Sequence, residues 1–104
     1  VIGKNTRWDM PWYIIDDGLY GSFSGKVFDH IDYPILAENA DTRELHACVL
    51  AGPTCDSSDV VSRDQMMPDL EVGELLLVPS MGAYTSASAC PFNGLPVANS
   101  IAID

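Results

Sequence analysis

Apolar and polar residues in this chain come in short bursts, and the three-to-four-residue spacing of an amphipathic helix is nearly absent. Trp12-Tyr13-Ile14-Ile15 is an aromatic and β-branched run, closed by the turn signal Asp16-Asp17-Gly18. Residues 22–30 read as a second strand, reached through a tight, bulged hairpin in GLYGSFSGKV (residues 18–27). Residues 38–44 are polar loop. Residues 45–50 predict a third strand, stopped by Gly52-Pro53, and residues 59–67 a short strand or a helical turn. After a turn bracketed by Pro68 and Gly73, the run Glu74-Leu75-Leu76-Leu77-Val78 predicts a buried strand. Residues 83–89 form a small-residue strand, and residues 97–104 alternate, with Val97, Asn99, Ile101 and Ile103 on one face.

Short strands separated by Gly/Pro turns, without internal repeats, predict an all-β domain: a Greek-key-like antiparallel barrel or sandwich. At 104 residues the whole chain, 1–104, is one domain with a modest core.

Charge narrows the partners. The formal net charge is −10, from 15 Asp+Glu against 5 Lys+Arg. Nucleic acid and anionic membrane surfaces are polyanions, so the charge argues against both and biases the chain toward cationic ligands such as amines. No apolar stretch approaches the ~20 residues of a membrane helix. Cys48, Cys55 and Cys90 are odd in number and lack CxxC spacing, which predicts reduced thiols, a cytoplasmic setting and neither disulfide nor zinc. The chain starts without Met and without a signal or transit peptide, almost at once in strand-like sequence, so a piece of a longer protein is expected.

Several stretches carry candidate chemistry. GLYGSFSGKV suggests a phosphate loop, but Gly21 to Gly25 is one residue short and Val27 stands where Ser or Thr is needed. Asp29, His30 and Asp32 are metal-ligand types, yet His46 is distant in sequence and no metal site is predicted; Asp29 fits better as a carboxylate for a cation. In GPTCDSSD (residues 52–59) a turn is followed at once by Cys55 and Asp56. Cys55 reads as a nucleophile, an inert structural thiol or a general acid. An ordinary thiol is protonated at pH 7, and an adjacent carboxylate disfavours the thiolate, which suits the third role. Tyr84 lies among small residues, where a phenol reaches either an anionic oxygen or the domain rim.

YIIDDGLYGSF, FDH, AGPTCDSSD, EVGELLLV, MGAYT and PFNG, in that order, resemble the C-terminal domain of the ornithine decarboxylase family, over essentially the whole chain. These are pyridoxal-phosphate decarboxylases sharing the alanine-racemase fold. The resemblance implies an N-terminal (β/α)₈ barrel, absent here, that carries the Schiff-base lysine, and a homodimer whose interface forms the active site. Cys55 then corresponds to the thiol that returns a proton after CO₂ departs. Asp56 and Asp29 correspond to the carboxylates at the substrate's distal ammonium, Tyr84 to the tyrosine at the cofactor phosphate, Phe92 to an aromatic lining the site, and Asp59 to an interface carboxylate. Lys4 and Lys26 match nothing catalytic, so the isolated chain is expected to be inactive.

The sequence departs from the family pattern in places. Phe28 replaces a common tyrosine, Ser57-Ser58 replaces a Gly-Leu pair of animal enzymes, and Cys-Asp differs from the Cys-Glu of diaminopimelate decarboxylases. The implied substrate is a small basic amino acid, ornithine first with putrescine as product, then lysine or both. The competing expectations are a regulatory paralogue without activity and a stand-alone polyamine-binding β-domain.

Overall fold

The computed structural model describes residues 1–28, 32–81 and 85–102. Strands β1 (Gly3–Arg7) and β2 (Met10–Ile14) form a hairpin. Its tip, Trp8-Asp9, has φ of 50° and 60°, the left-handed pair of a type I′ turn, whose twist matches that of the strands. Strand β3 (Leu36–Ala37) pairs with β6 (Leu76–Leu77) in a small second sheet. The main sheet runs β1-β2-β4-β5, with β4 at His46–Ala51 and β5 at Val60–Met67.

The sheet-dominated class is as expected, and residues 59–67 resolve into a strand. The wholly antiparallel arrangement is not observed, because β2 and β4 are parallel: Trp12 opposes Val49 and Ile14 opposes Ala51. A parallel neighbour needs a long crossover, and residues 15–45 supply it.

Three predicted strands take other forms. In residues 22–30, Asp17 Oδ1 accepts the Gly18 and Ser22 N–H groups at 2.8 Å each, and consecutive turns follow into a single helical turn, α1 (Gly25–Phe28). The predicted bulged hairpin is therefore a turn ladder wound on a carboxylate. In residues 83–89 the described part is another single turn, α2 (Thr85–Ser88), closed by Ala89 N–H donating to the Thr85 carbonyl at 2.8 Å. Its small side chains lack the bulk that favours a pleated backbone. Of the alternating stretch 97–104, residues 97–102 form no strand, since no ladder partner meets them, and 103–104 lie outside the described residues. The run at 74–78 is strand only at β6 and only half buried. Leu76 and Val78 pack on the core while Leu75 and Leu77 point outward, 77% and 66% exposed.

The core is built from Tyr13, Ile15, Phe23, Ile35, Cys48, Leu50, Val61, Met67 and Leu70. Residues 48–51 of β4, an inner strand of the sheet, are all buried. The Tyr13 hydroxyl is satisfied inside, donating to Asp69 Oδ1 at 3.2 Å and accepting the Leu70 N–H at 3.1 Å. GPTCDSSD is the connection from β4 to β5, so both its ends are anchored in packed strands.

Candidate active site

The loop is organised from within by Asp59, which is 2% exposed. Its Oδ1 accepts the Leu19 N–H at 2.9 Å, and its Oδ2 accepts the Thr54 N–H at 3.2 Å and the Thr54 hydroxyl at 2.7 Å. The loop closes through Gly52 N–H to the Asp59 carbonyl at 2.9 Å and Asp59 N–H to the Asp56 carbonyl at 3.0 Å. Gly18 and Gly52 make room for the carboxylate: a Cβ would sit 2.5 Å from Asp59 Oδ1 at Gly18 and 2.3 Å at Gly52. Asp59, which the resemblance assigns to an interface, thus turns inward and joins the loop to the turn after β2.

Asp56 is fixed in turn. Its Oδ1 accepts the Ser58 N–H at 2.9 Å and the Ser58 hydroxyl at 2.8 Å, and its other oxygen accepts the Tyr20 phenol hydrogen. The Tyr20 hydroxyl and the Ser58 donors hold the Asp56 carboxyl below the usual carboxylate range. The same bond pushes the Tyr20 phenol up to about 12. Asp56 is therefore an anion at neutral pH. Three of its roughly four lone-pair sites are engaged, which leaves about one for an incoming cation. Asp16, Asp17 and Asp59 line a shallow depression beside Tyr20 and Phe92.

Cys55 is exposed, and its Sγ accepts a hydrogen bond from Asn93 Nδ2 at 3.0 Å. Asn93 lies in the short turn Phe92–Gly94 with φ 59°, a left-handed conformation that Asn tolerates well. Phe92 stacks on Tyr20, ring centroids 4.1 Å apart and planes 13° from parallel. Cys90 N–H donates to the Tyr20 carbonyl at 2.8 Å. Residues 90–93 therefore brace both chemical groups, Asp56 through Tyr20 and Cys55 directly. Asp29 and Tyr84 lie outside the described residues.

The structure thus brings together Cys55, Asp56, Phe92 and, beneath them, Asp59. Reading the residues missed Tyr20 and Asn93 as members of the group. The Asn93-Gly94 pair was a turn signal that could have flagged the second. Tyr20 carries no local signal, because its partner is remote in sequence.

The structure thus places an exposed thiol beside an ionised carboxylate on a loop rooted in a central strand of a sheet domain. Comparisons with known proteins give the family of this sheet domain. The family model for the pyridoxal-dependent decarboxylase C-terminal sheet domain matches residues 1–82, and the chain belongs to that family. It is 46% identical over 101 residues to a lysine/ornithine decarboxylase of Selenomonas ruminantium, covering 97% of this chain and 25% of that protein. It is 49% identical over 84 residues to the ornithine decarboxylase of Caenorhabditis elegans, covering 79% and 20%. The crystal structure of a Vibrio vulnificus lysine/ornithine decarboxylase complexed with cadaverine superposes with a TM-score of 0.94 at 45% identity, over 100% of this chain and 28% of that one. The chain spans a fifth to a quarter of the length of these curated relatives.

Among the described residues, a pyridoxal cofactor finds neither a free lysine amine nor a phosphate cradle in the glycine-rich turn. Lys4 is paired with Asp69 and Glu71, and Lys26 with Asp32 at 2.8 Å, so neither presents a free amine. The glycine-rich turn is no phosphate cradle, since the N–H groups of Gly18, Leu19, Gly21, Ser22, Phe23 and Ser24 all go to acceptors within the chain.

Proposed function

We propose that this chain completes the active site of a pyridoxal-phosphate-dependent decarboxylase acting on a small basic amino acid, ornithine first and lysine second. The observation that carries the reading is the pair itself: an exposed Cys55 thiol next to an Asp56 carboxylate held ionised by Tyr20 and Ser58.

The remaining lone pair of Asp56 takes the substrate's distal ammonium in a charge-assisted hydrogen bond, with Asp29 as the second carboxylate. Binding at that end orients the reacting carbon toward Cys55. The Cys55 S–H then delivers its proton to Cα after CO₂ leaves. Phe92 walls the site, and Tyr84 contributes to the cofactor phosphate. Pyridoxal phosphate, when bound, supplies the electron sink that makes loss of CO₂ feasible. Its Schiff-base lysine belongs to a barrel domain, and the loop serves the barrel of a second subunit. The short span of the match along the relatives and the outward-facing Leu36, Leu75 and Leu77 support such a partner. Ornithine and lysine share the reading because the similar proteins carry both names.

The test is product analysis of Cys55→Ala in the complete enzyme, with CO₂ and diamine quantified together. Diamine is expected to fall well below CO₂, with cofactor lost by misprotonation. Equal amounts of diamine and CO₂ at the parent rate would reject the role of Cys55.

A further inference from the structure

We propose that Asn93 is a positioning residue for the proton-donating step, its side-chain amide fixing the Cys55 sulfur and receiving the charge that develops there. The inference rests on the reading of Cys55 as the acid, but is separable from it.

The geometry carries it. Asn93 Nδ2 donates to Cys55 Sγ at 3.0 Å across 38 positions of sequence. A donated hydrogen bond occupies a sulfur lone pair and leaves the S–H free to point elsewhere. In the proton step the S–H bond breaks, a C–H bond forms at Cα and the electron pair stays on sulfur. The Asn93 N–H faces that pair, and a hydrogen bond to an anion is stronger than one to a neutral atom. The contact is thus worth more as the proton leaves than before, the condition for assisting a chemical step. Water afterwards returns a proton to the thiolate.

The placement of Asn93 is rigid. Its left-handed φ of 59°, followed by Gly94 at φ 74°, turns the side chain back over the Cys55 loop. Phe92 on the preceding position is stacked on Tyr20, and Cys90 is tied to the Tyr20 carbonyl, so the turn is held on two sides.

The experiment uses Asn93→Gly and Asn93→Asp in the complete enzyme, since Gly accepts the left-handed backbone and Asp keeps the shape but loses the donor. Both variants are expected to lower kcat about 10-fold with KM little changed, and to release less diamine per CO₂. In a Cys55→Ala background the further loss should vanish. A second readout needs no turnover: iodoacetamide labelling of Cys55 in the substrate-free enzyme, followed by peptide mass spectrometry. Labelling should slow several-fold in Asn93→Gly, because the thiolate loses its donor. Faster labelling, parent-like kcat in Asn93→Asp, or an undiminished effect in the Cys55→Ala background would each overturn the inference. If Cys55→Ala leaves the product ratio untouched, the reading of Cys55 fails first; if it alters the ratio while the Asn93 variants do not, only Asn93 is rejected.

Discussion

Tyr20 and Asp56, 36 positions apart in sequence, are joined by a hydrogen bond from phenol to carboxylate. It couples the turn after β2 to the β4–β5 loop, and it lowers the pKa of Asp56 while raising that of Tyr20.

Tyr20→Phe in the complete enzyme should therefore raise KM for the basic amino acid several-fold with a smaller change in kcat, since Asp56 loses its aim but not its charge. The bond requires an ionised Asp56 and a neutral Tyr20. Because the Asp56 value is depressed, its contribution is present above the ordinary carboxylate range and disappears as pH falls through the lowered value. Because the Tyr20 value is raised, the contribution is also lost as pH climbs toward about 12. Thermal melts of parent and variant across pH should converge at both extremes and differ between them; a constant difference would contradict the assignment.

Asp59→Ala removes the acceptor of two backbone N–H groups and the Thr54 hydroxyl at a buried site. Its cost should be about 3 kcal/mol, as expected for buried donors left unpaired. Gly52→Ala forces a Cβ to within 2.3 Å of the same carboxylate and should cost about 2 kcal/mol. Denaturant titration of the complete protein measures both. A loss under 0.5 kcal/mol for Asp59→Ala would show that the loop holds without it.

Cys48 is 1% exposed, and burial pushes its thiol up to about 11 from 9.0. It should resist iodoacetamide under native conditions while Cys55 and Cys90 react, and become labelled on unfolding. A raised value also means that stability declines as pH rises from about 9 toward 11, a slope that Cys48→Ala should reduce. Native labelling of Cys48 at the rate of Cys90 would contradict its burial.

Leu75 and Leu77 point outward from β6 as large exposed apolar groups. If a partner domain covers them, the isolated chain should self-associate, and the double variant Leu75→Glu/Leu77→Glu should shift it toward monomer in analytical ultracentrifugation. In the complete enzyme the same change should weaken assembly. No shift in either setting would argue against a covered face.

Local signals in the sequence were enough for the sheet class, for the strand that becomes β4 and for the turn at Gly52-Pro53, because β-branched runs and Gly/Pro breaks act over nearest neighbours. Cys55 and Asp56 were legible for the same reason: chemistry on consecutive residues after a forced turn. The parallel pairing of β2 with β4 was not, since it depends on which distant strand offers its ladder. In residues 22–28 and 85–89, hydrogen bonds with little trace in the apolar pattern, to Asp17 and to the Thr85 carbonyl, outweighed the expected strands. The inward contacts of Asp59 arose only when folding set it against Gly18 and Gly52, and Tyr20 and Asn93 gained their partners only across 36 and 38 positions. A hydrogen bond needs its donor and acceptor within about 3 Å, and over such separations only the packed tertiary structure sets that distance.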